Sequence, residues 1–475
     1  MPKVRVRAPE AELFAAGFRR IRDELGVPAT FPPEVLAEAR ATANTPASVA
    51  GEREDATDLP LVTIDPPGSR DLDQAFAGRR TGAGFRIDYA IADVAAFVRP
   101  DGALDRCARQ RGVTLYPPDG RVPLHPVTLG EDAASLLPRS DRLALLWTVD
   151  LDRYGDPTAV RLRRATVRSR AQLSYAEAQL RLAEGHDDEN LQVLRDVGRL
   201  RRERAIARGA VSLDLPAQAV VPRDGGYALR FDTSLPVEEW NAQISLLTGL
   251  VAAEMMVEAG IGVLRTLPEA DEGVITELRR HALALGVAWP DGVPYAFFIR
   301  SLDSDVPAHG ALLAQAVRVF RGAGYVAFDG SVPADARHAA IAAHYAHVTA
   351  PLRRLVDRFA NEVLVALAAD REPPAWVREG LPELPAIMAD ASRRERDLER
   401  AVVDFVEAVV LGSRRGERFP AVVTGLREEG AVVQILDPAV IGHVEADGLV
   451  LGQQLRVEVA GADLERGRVE LRPVP

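Results

Sequence analysis

Three carboxylates fall within nine residues: Asp65, Asp71 and Asp73, set behind an apolar run at 61–64 and around Pro66-Pro67-Gly68-Ser69. Carboxylate oxygens are hard ligands, and several of them at one point suit magnesium or manganese. Asp71 and Asp73 are two apart, so an extended chain projects both from one side. Asp65 reaches the same point only if the intervening turn reverses the chain. Gln74 follows directly and can offer a neutral carbonyl oxygen. Taken alone, the stretch describes an acidic surface turn equally well. A second chemical group lies far along the chain, where Thr349-Ala350-Pro351 precedes Arg353 and Arg354. Pro351 bends or begins a helix, which predicts both arginines in a first helical turn, where backbone N–H groups favour anions.

The elements that must position these groups require several domains, because the chain has 475 residues. A composition 47% hydrophobic and 27% charged is globular. The single cysteine, Cys107, excludes an internal disulfide framework and fits a reducing cytoplasm. The charged run at 4–7, with no apolar stretch after it, predicts no signal peptide. The longest apolar stretch, 244–257, is interrupted by Glu254 and is short for a membrane span, so it reads as a core helix. A net charge of −11 argues against a non-specific nucleic-acid coat and leaves a nuclease open, since metal ligands are themselves acidic. Lys3 is the only lysine, and a uniform Arg bias carries no functional meaning by itself.

In chain order, apolar spacing over 9–25 and a Pro-Pro-Glu start near 32 predict a small helical N-terminal domain at 1–41, a packing module or a helix-turn-helix. Residues 42–58 read as a linker. Strands are expected at 61–64, 85–92, 143–150 and 159–169, then helices over 175–208, 236–259, 271–286, 338–368 and 383–414. The arginines of 199–208 form a basic segment that is either a solvated face or a phosphate track. After Gly416, five short strand candidates punctuated by glycines have the rhythm of an OB-fold barrel, with Phe419 its only candidate stacking aromatic. The fold class is thus α+β and multidomain: the helical N-terminal domain, a mixed catalytic domain at 59–415 and a five-stranded barrel at 416–475.

Several motifs recur in one order. Thr63-Ile64-Asp65 leads to Asp71-Leu72-Asp73-Gln74-Ala75, then Ile91-Ala92-Asp93-Val94, Tyr116-Pro117-Pro118 and Asp141-Arg142-Leu143. Arg208-Gly209-Ala210, Val237-Glu238-Glu239-Trp240 and Thr349-Ala350-Pro351-Leu352-Arg353-Arg354 follow. In this order they resemble the RNB family of exoribonucleases, the ribonuclease II and ribonuclease R group, over residues 59–475. The resemblance implies processive, magnesium-dependent hydrolysis of single-stranded RNA from the 3′ end to nucleoside 5′-monophosphates by a two-metal-ion mechanism, with manganese as a substitute ion. It places Asp65, Asp71 and Asp73 as metal ligands, Asp73 and Arg353 as catalytic, and Tyr116 against the terminal base. One of Glu238 and Glu239 faces that base from the other side. Arg354, Leu213 and Phe419 are further RNA-contact candidates.

Departures from the pattern matter as much. The family's fourth clustered aspartate is Gln74 here, and an expected clamp aromatic is Leu213. Fewer than sixty residues precede the catalytic domain, too few for the two cold-shock barrels of typical members. The alternative is therefore a catalytically impaired RNA-binding or regulatory protein that keeps the fold. The expected form is a cytoplasmic monomer, off the membrane and without an obligate protein partner.

Overall fold

The structure, a computed structural model, describes residues 8–46, 52–213, 217–223, 226–232, 234–303 and 306–474. Its centre is a seven-stranded sheet: β1 (Glu54–Ala56), β2 (Val62–Asp65), β3 (Gln74–Arg80), β4 (Gly84–Ala92), β5 (Asp141–Asp152), β6 (Pro157–Arg168) and β7 (Ala171–Ser174). Their spatial order is β1-β6-β5-β4-β3-β2-β7. Alternation along β3, β4 and β5 sends large side chains, among them Phe76, Tyr89, Ile91 and Trp147, to one face. Small ones such as Ala75, Ala77, Ala90 and Ala144 go to the other. A two-sided apolar sheet must be covered on both faces.

The large-residue face is covered by α5 (Glu189–Arg208) and α6 (Pro236–Ala259), which follow α4 (Tyr175–Ala183). By length and composition α6 could cross a membrane, but Trp240, Ile244, Leu247 and Val251 are buried in the core, which accounts for its hydropathy. The alanine-rich face receives α2 (Pro33–Asn44) and α3 (Ala103–Arg111). Behind the sheet lies α10 (Leu355–Ala368), tied in by buried ion pairs. Arg164 on β6 reaches both Asp93 and Glu362 at 2.5 Å, and Arg358 pairs with Asp105.

The expected independent N-terminal domain does not form as a unit. Helix α1 (Ala8–Glu24) buries Phe14 and Phe18 against Phe405 and Tyr227, while α2 buries Val35 and Ala39 in the separate core under the sheet. The two helices thus have different apolar partners. The expected linker includes the end of α2 and strand β1, whose Asp55 is in register with Thr166; residues 47–51 of it lie outside the described residues.

Two small sheets were not foreseen: the hairpin β8 (Ala217–Arg223) with β9 (Gly226–Asp232), and β10 (Ile261–Thr266) with β11 (Gly324–Asp329). Between the last two, α7 (Glu272–Ala284), α8 (Tyr295–Arg300) and α9 (Pro307–Ala316) pack a small core of their own. After α11 (Ala375–Gly380), the long α12 (Leu384–Gly412) carries the core outward. Its Phe405, Val406 and Val409 are continuous with Phe419, Val457 and Val459 of the C-terminal barrel. That barrel closes in the order β12-β13-β14-β16-β15, from β12 (Arg418–Leu426), β13 (Ala431–Ile435), β14 (Val440–Val444), β15 (Gln454–Asp463) and β16 (Arg468–Val474).

Candidate active site

The turn between β2 and β3 carries the aspartates to the end of the sheet. Ser135, fully buried, holds that turn: its Oγ accepts from Leu72 N–H at 2.9 Å and donates to Arg70 O at 2.6 Å. Nothing in the sequence marked this serine. The segment at 112–116 is paired with the one at 353–355. Arg354 bridges Val113, Thr114 N–H donates to Arg353 O at 3.0 Å, and Leu355 N–H donates to Gly112 O at 2.9 Å. Gly112, at φ +73°, has only 2.4 Å between an added Cβ and Ala391, so a side chain there would collide with α12. This backbone pairing brings Tyr116 and Arg353 to one cleft.

The cleft, about 630 Å³, is lined by Asp65, Asp71, Asp73 and Gln74 on one side and by Tyr116, Arg353 and Arg354 on another. Tyr175, Glu238, Asn241 and Ser245 form a wall from α4 and α6. Asp73 is 2% exposed; its Oδ1 accepts from Leu352 N–H at 2.7 Å and its Oδ2 from Arg353 Nε–H at 3.2 Å. Asp71 accepts from Tyr116 Oη–H at 2.8 Å and from Arg121 Nη1–H at 2.6 Å. Asp65 differs: its Oδ2 is buried with no hydrogen-bond partner. Burial pushes the carboxyls of Asp65 and Asp73 up to about 7, with the Arg353 charge opposing it in both.

The three aspartates thus share a cleft, but among the described residues no set of three or more acidic, His or Cys side chains meets as a metal group. Arg121 and the Tyr116 hydroxyl occupy the oxygens of Asp71, and Arg353 and the Leu352 N–H those of Asp73. Yet an orphaned buried carboxylate oxygen in a cleft of hard oxygen donors is what a divalent cation would satisfy. The residues present fit such an ion.

Other expected contacts divide. Of the acid pair, Glu238 lines the cleft and caps α6 by accepting from Leu235 N–H at 2.9 Å, whereas Glu239 pairs with Arg202 at 2.9 Å. Arg354 lines the cleft, but its guanidinium makes two 2.9 Å bonds to the buried Asp357. Both arginines close a single turn on Ala350, their N–H groups donating to its carbonyl at 3.2 and 2.9 Å, but that turn does not run on into the helix: Arg354 is extended at φ −136°, and α10 begins at Leu355. The backbone pairing with Gly112 and Thr114 holds Arg354 extended, while Asp357 accepts from Ala350 N–H at 2.7 Å at the start of the turn. Leu213 lies outside the cleft, half-buried against the α7–α9 core. Phe419 is 4% exposed inside the barrel with Arg414 over its ring, so it has no free face for a base. The arginines of α5 are largely tied down, Arg202 to Glu239 and Arg204 to Asp156. Tyr175, the first residue of α4, is a cleft residue that did not stand out in the sequence.

The RNB domain profile matches residues 53–370, well over half of the chain. This chain belongs to the RNB family. A second profile, the C-terminal S1 domain of RNase II-type exonucleases, matches residues 417–474, the barrel. Ribonuclease R of Escherichia coli is 26% identical over 90% of this RNB chain and 56% of that protein. The chain spans about half the length of that relative. The ribonuclease R of Mycoplasma genitalium, solved with ribose-methylated single-stranded RNA, superposes with a TM-score of 0.87 at 19% identity, covering 97% of this chain and 78% of that one. A yeast pseudonuclease also superposes, with a TM-score of 0.69 at 16% identity over 87% of this chain and 53% of that one. These likenesses show the RNB fold.

Proposed function

We propose that this RNB-family chain is a divalent-metal-dependent exoribonuclease that degrades single-stranded RNA from the 3′ end to nucleoside 5′-monophosphates. The observation that carries the reading is Arg353 and the Leu352 N–H converging on buried Asp73, across 280 and 279 residues of sequence, at the edge of a cleft holding Asp65. Arg353 is 42% exposed on its side chain and commits only Nε to Asp73, which leaves its terminal nitrogens to stabilise charge on a pentacoordinate phosphate. Tyr116, 52% exposed, packs against the terminal base and sets how far the 3′ end advances, with Glu238 opposite. Asp65, Asp71 and Asp73 would hold magnesium, or manganese in its place, and in a two-ion arrangement the bound metal supplies charge neutralisation and an acidified water. The reading includes action as a monomer in the cytoplasm, in keeping with one buried, unpaired cysteine, Cys107.

The test is 5′-labelled single-stranded RNA incubated with the protein and magnesium, repeated with Asp73→Asn. The wild type should give a ladder of shortening products and the variant should lose at least about a hundredfold in rate. No ladder, or equal degradation by the variant, would sink the hydrolytic reading. The engaged oxygens of Asp71 and Asp73 and the neutral Gln74 favour one competitor, a non-catalytic RNA-binding protein. Tight RNA binding without shortening across magnesium and manganese titrations would establish that reading instead.

A further inference from the structure

Gln74 stands at the start of β3 and lines the cleft beside Asp73. Its Oε1 lies 2.8 Å from the Oη of Tyr89, a residue only 1% exposed on the neighbouring strand. Tyr89 Oη is in turn 2.8 Å from Ser245 Oγ on α6. Burial pushes the Tyr89 phenol far above its ordinary value, so it stays protonated and has one hydrogen to give. With that hydrogen on the Gln74 carbonyl, Ser245 donates to Tyr89, and the chain of donors runs one way from α6 to β3. Tyr89 occupies one lone pair of the Gln74 carbonyl and so turns that oxygen toward β4, which leaves the Gln74 amide N–H₂ toward the cleft. The terminal nitrogens of Arg353, whose Nε is held by Asp73, line the same cleft. Two such donors in a cleft that also holds the aspartates can receive an anionic oxygen.

We propose that Gln74 is a substrate-contacting residue whose amide donates to a non-bridging oxygen of the scissile phosphate, that Tyr89 and Ser245 are the positioning residues that fix its orientation, and that Gln74 is not a cation ligand. The inference rests on the exoribonuclease reading above, and its test separates the two. The full chain is compared with Gln74→Ala, Gln74→Glu and Tyr89→Phe by three measurements. They are manganese affinity without RNA by electron paramagnetic resonance, RNA affinity in chelator, and single-turnover rates with the split between kcat and KM. Gln74→Ala should leave manganese affinity within about twofold while the single-turnover rate falls on the order of ten- to a hundredfold, as for loss of one hydrogen bond to a charged group. Tyr89→Phe should reduce kcat by about fivefold, a smaller step because the amide is kept and only its orientation is freed. Gln74→Glu, nearly the same shape, should tighten manganese and weaken RNA, because it replaces a donor with an anion. Loss of tenfold or more in manganese affinity in Gln74→Ala would make Gln74 a ligand and overturn the proposal, as would an unchanged rate. If the wild type cleaves no RNA, the exoribonuclease reading fails by itself. RNA affinity in chelator then decides here: weakening in Gln74→Ala supports the donor role, and no change overturns it.

Discussion

Asp73 and Arg353 form one unit, and their geometry predicts what a conservative change does. Asp73 Oδ2 holds Arg353 through Nε, so a planar fork is needed to reach Asp73 and a phosphate together. Lysine, a single point charge, can do one or the other. Arg353→Lys should therefore lower kcat by about a hundredfold with little change in KM, read by single-turnover kinetics. A lysine variant with near wild-type kcat would show that Arg353 supplies charge alone. Asp65 raises a separate matter, because its buried, unpartnered Oδ2 is a desolvated acceptor with no compensating bond. Such a group is costly in a folded chain unless a cation or proton satisfies it.

Among the elements, two contacts tie helices to the body of the fold. Asp105 on α3 and Arg358 on α10 are each 1% exposed on their side chains and pair with one another, while Arg358 also donates to Val98 O at 2.9 Å. Removing the Asp105 charge leaves a guanidinium buried without its counter-ion. Asp105→Asn should lower stability by about 3 kcal/mol, seen as a lower urea midpoint with unchanged slope. Helix α1 acts on the opposite side of the cleft. Arg22 pairs with Asp119 at 2.6 Å, Tyr227, packed on Phe14 and Phe18, donates to Pro118 O at 3.4 Å, and both partners lie in the loop that follows Tyr116. A part-exposed pair contributes at most about 1 kcal/mol to global stability, so its influence is local. Arg22→Asp should raise hydrogen exchange at the amides of Asp119 and Gly120, and the added Asp119→Arg should restore it. Equal exchange in all variants would separate α1 from the Tyr116 loop.

At the scale of the whole molecule, α12 makes the barrel part of the body. Glu407 sits at that junction, 7% exposed, accepting from Gln218 Nε2–H at 2.6 Å and from Ile441 N–H at 3.1 Å. Burial pushes its carboxyl up to about 7; the two donors oppose the shift and Asp404 adds to it. The folded chain therefore holds a proton there that the unfolded chain, near the ordinary 4.5, has already released. Between those two values stability falls as pH rises, and above about 7 the loss is complete. The contribution is at most about 3 kcal/mol across the window. Measured in chelator, wild type minus Glu407→Gln should show this falling slope from pH 4.5 to 7 and then flatten. A flat difference would place the Glu407 charge in contact with solvent.

The sequence by itself determined the elements whose signals are local. Alternating apolar residues gave the central strands, unbroken apolar helicity gave α6, and glycine-punctuated short strands gave the barrel, because each pattern follows from a repeat within a few residues. The order of motifs likewise brought out Asp65, Asp71, Asp73 and Arg353. Only the tertiary structure decided what those groups do with their oxygens and nitrogens. The turn through Arg353 stops short of its expected helix because Thr114 and Gly112 pair with the backbone at 353–355, and Glu238 rather than Glu239 faces the cleft because Arg202 claims the other. Phe419 turned inward when the barrel closed, and α1 and α2 parted because their apolar faces had different partners. In each case a hydrogen bond, ion pair or packing face is completed by a residue distant in sequence. Asp73 is the extreme: its two buried oxygens are satisfied from 279 and 280 residues away. A local repeat can place a carboxylate on a strand, but its partner is set by which distant segments the core brings together.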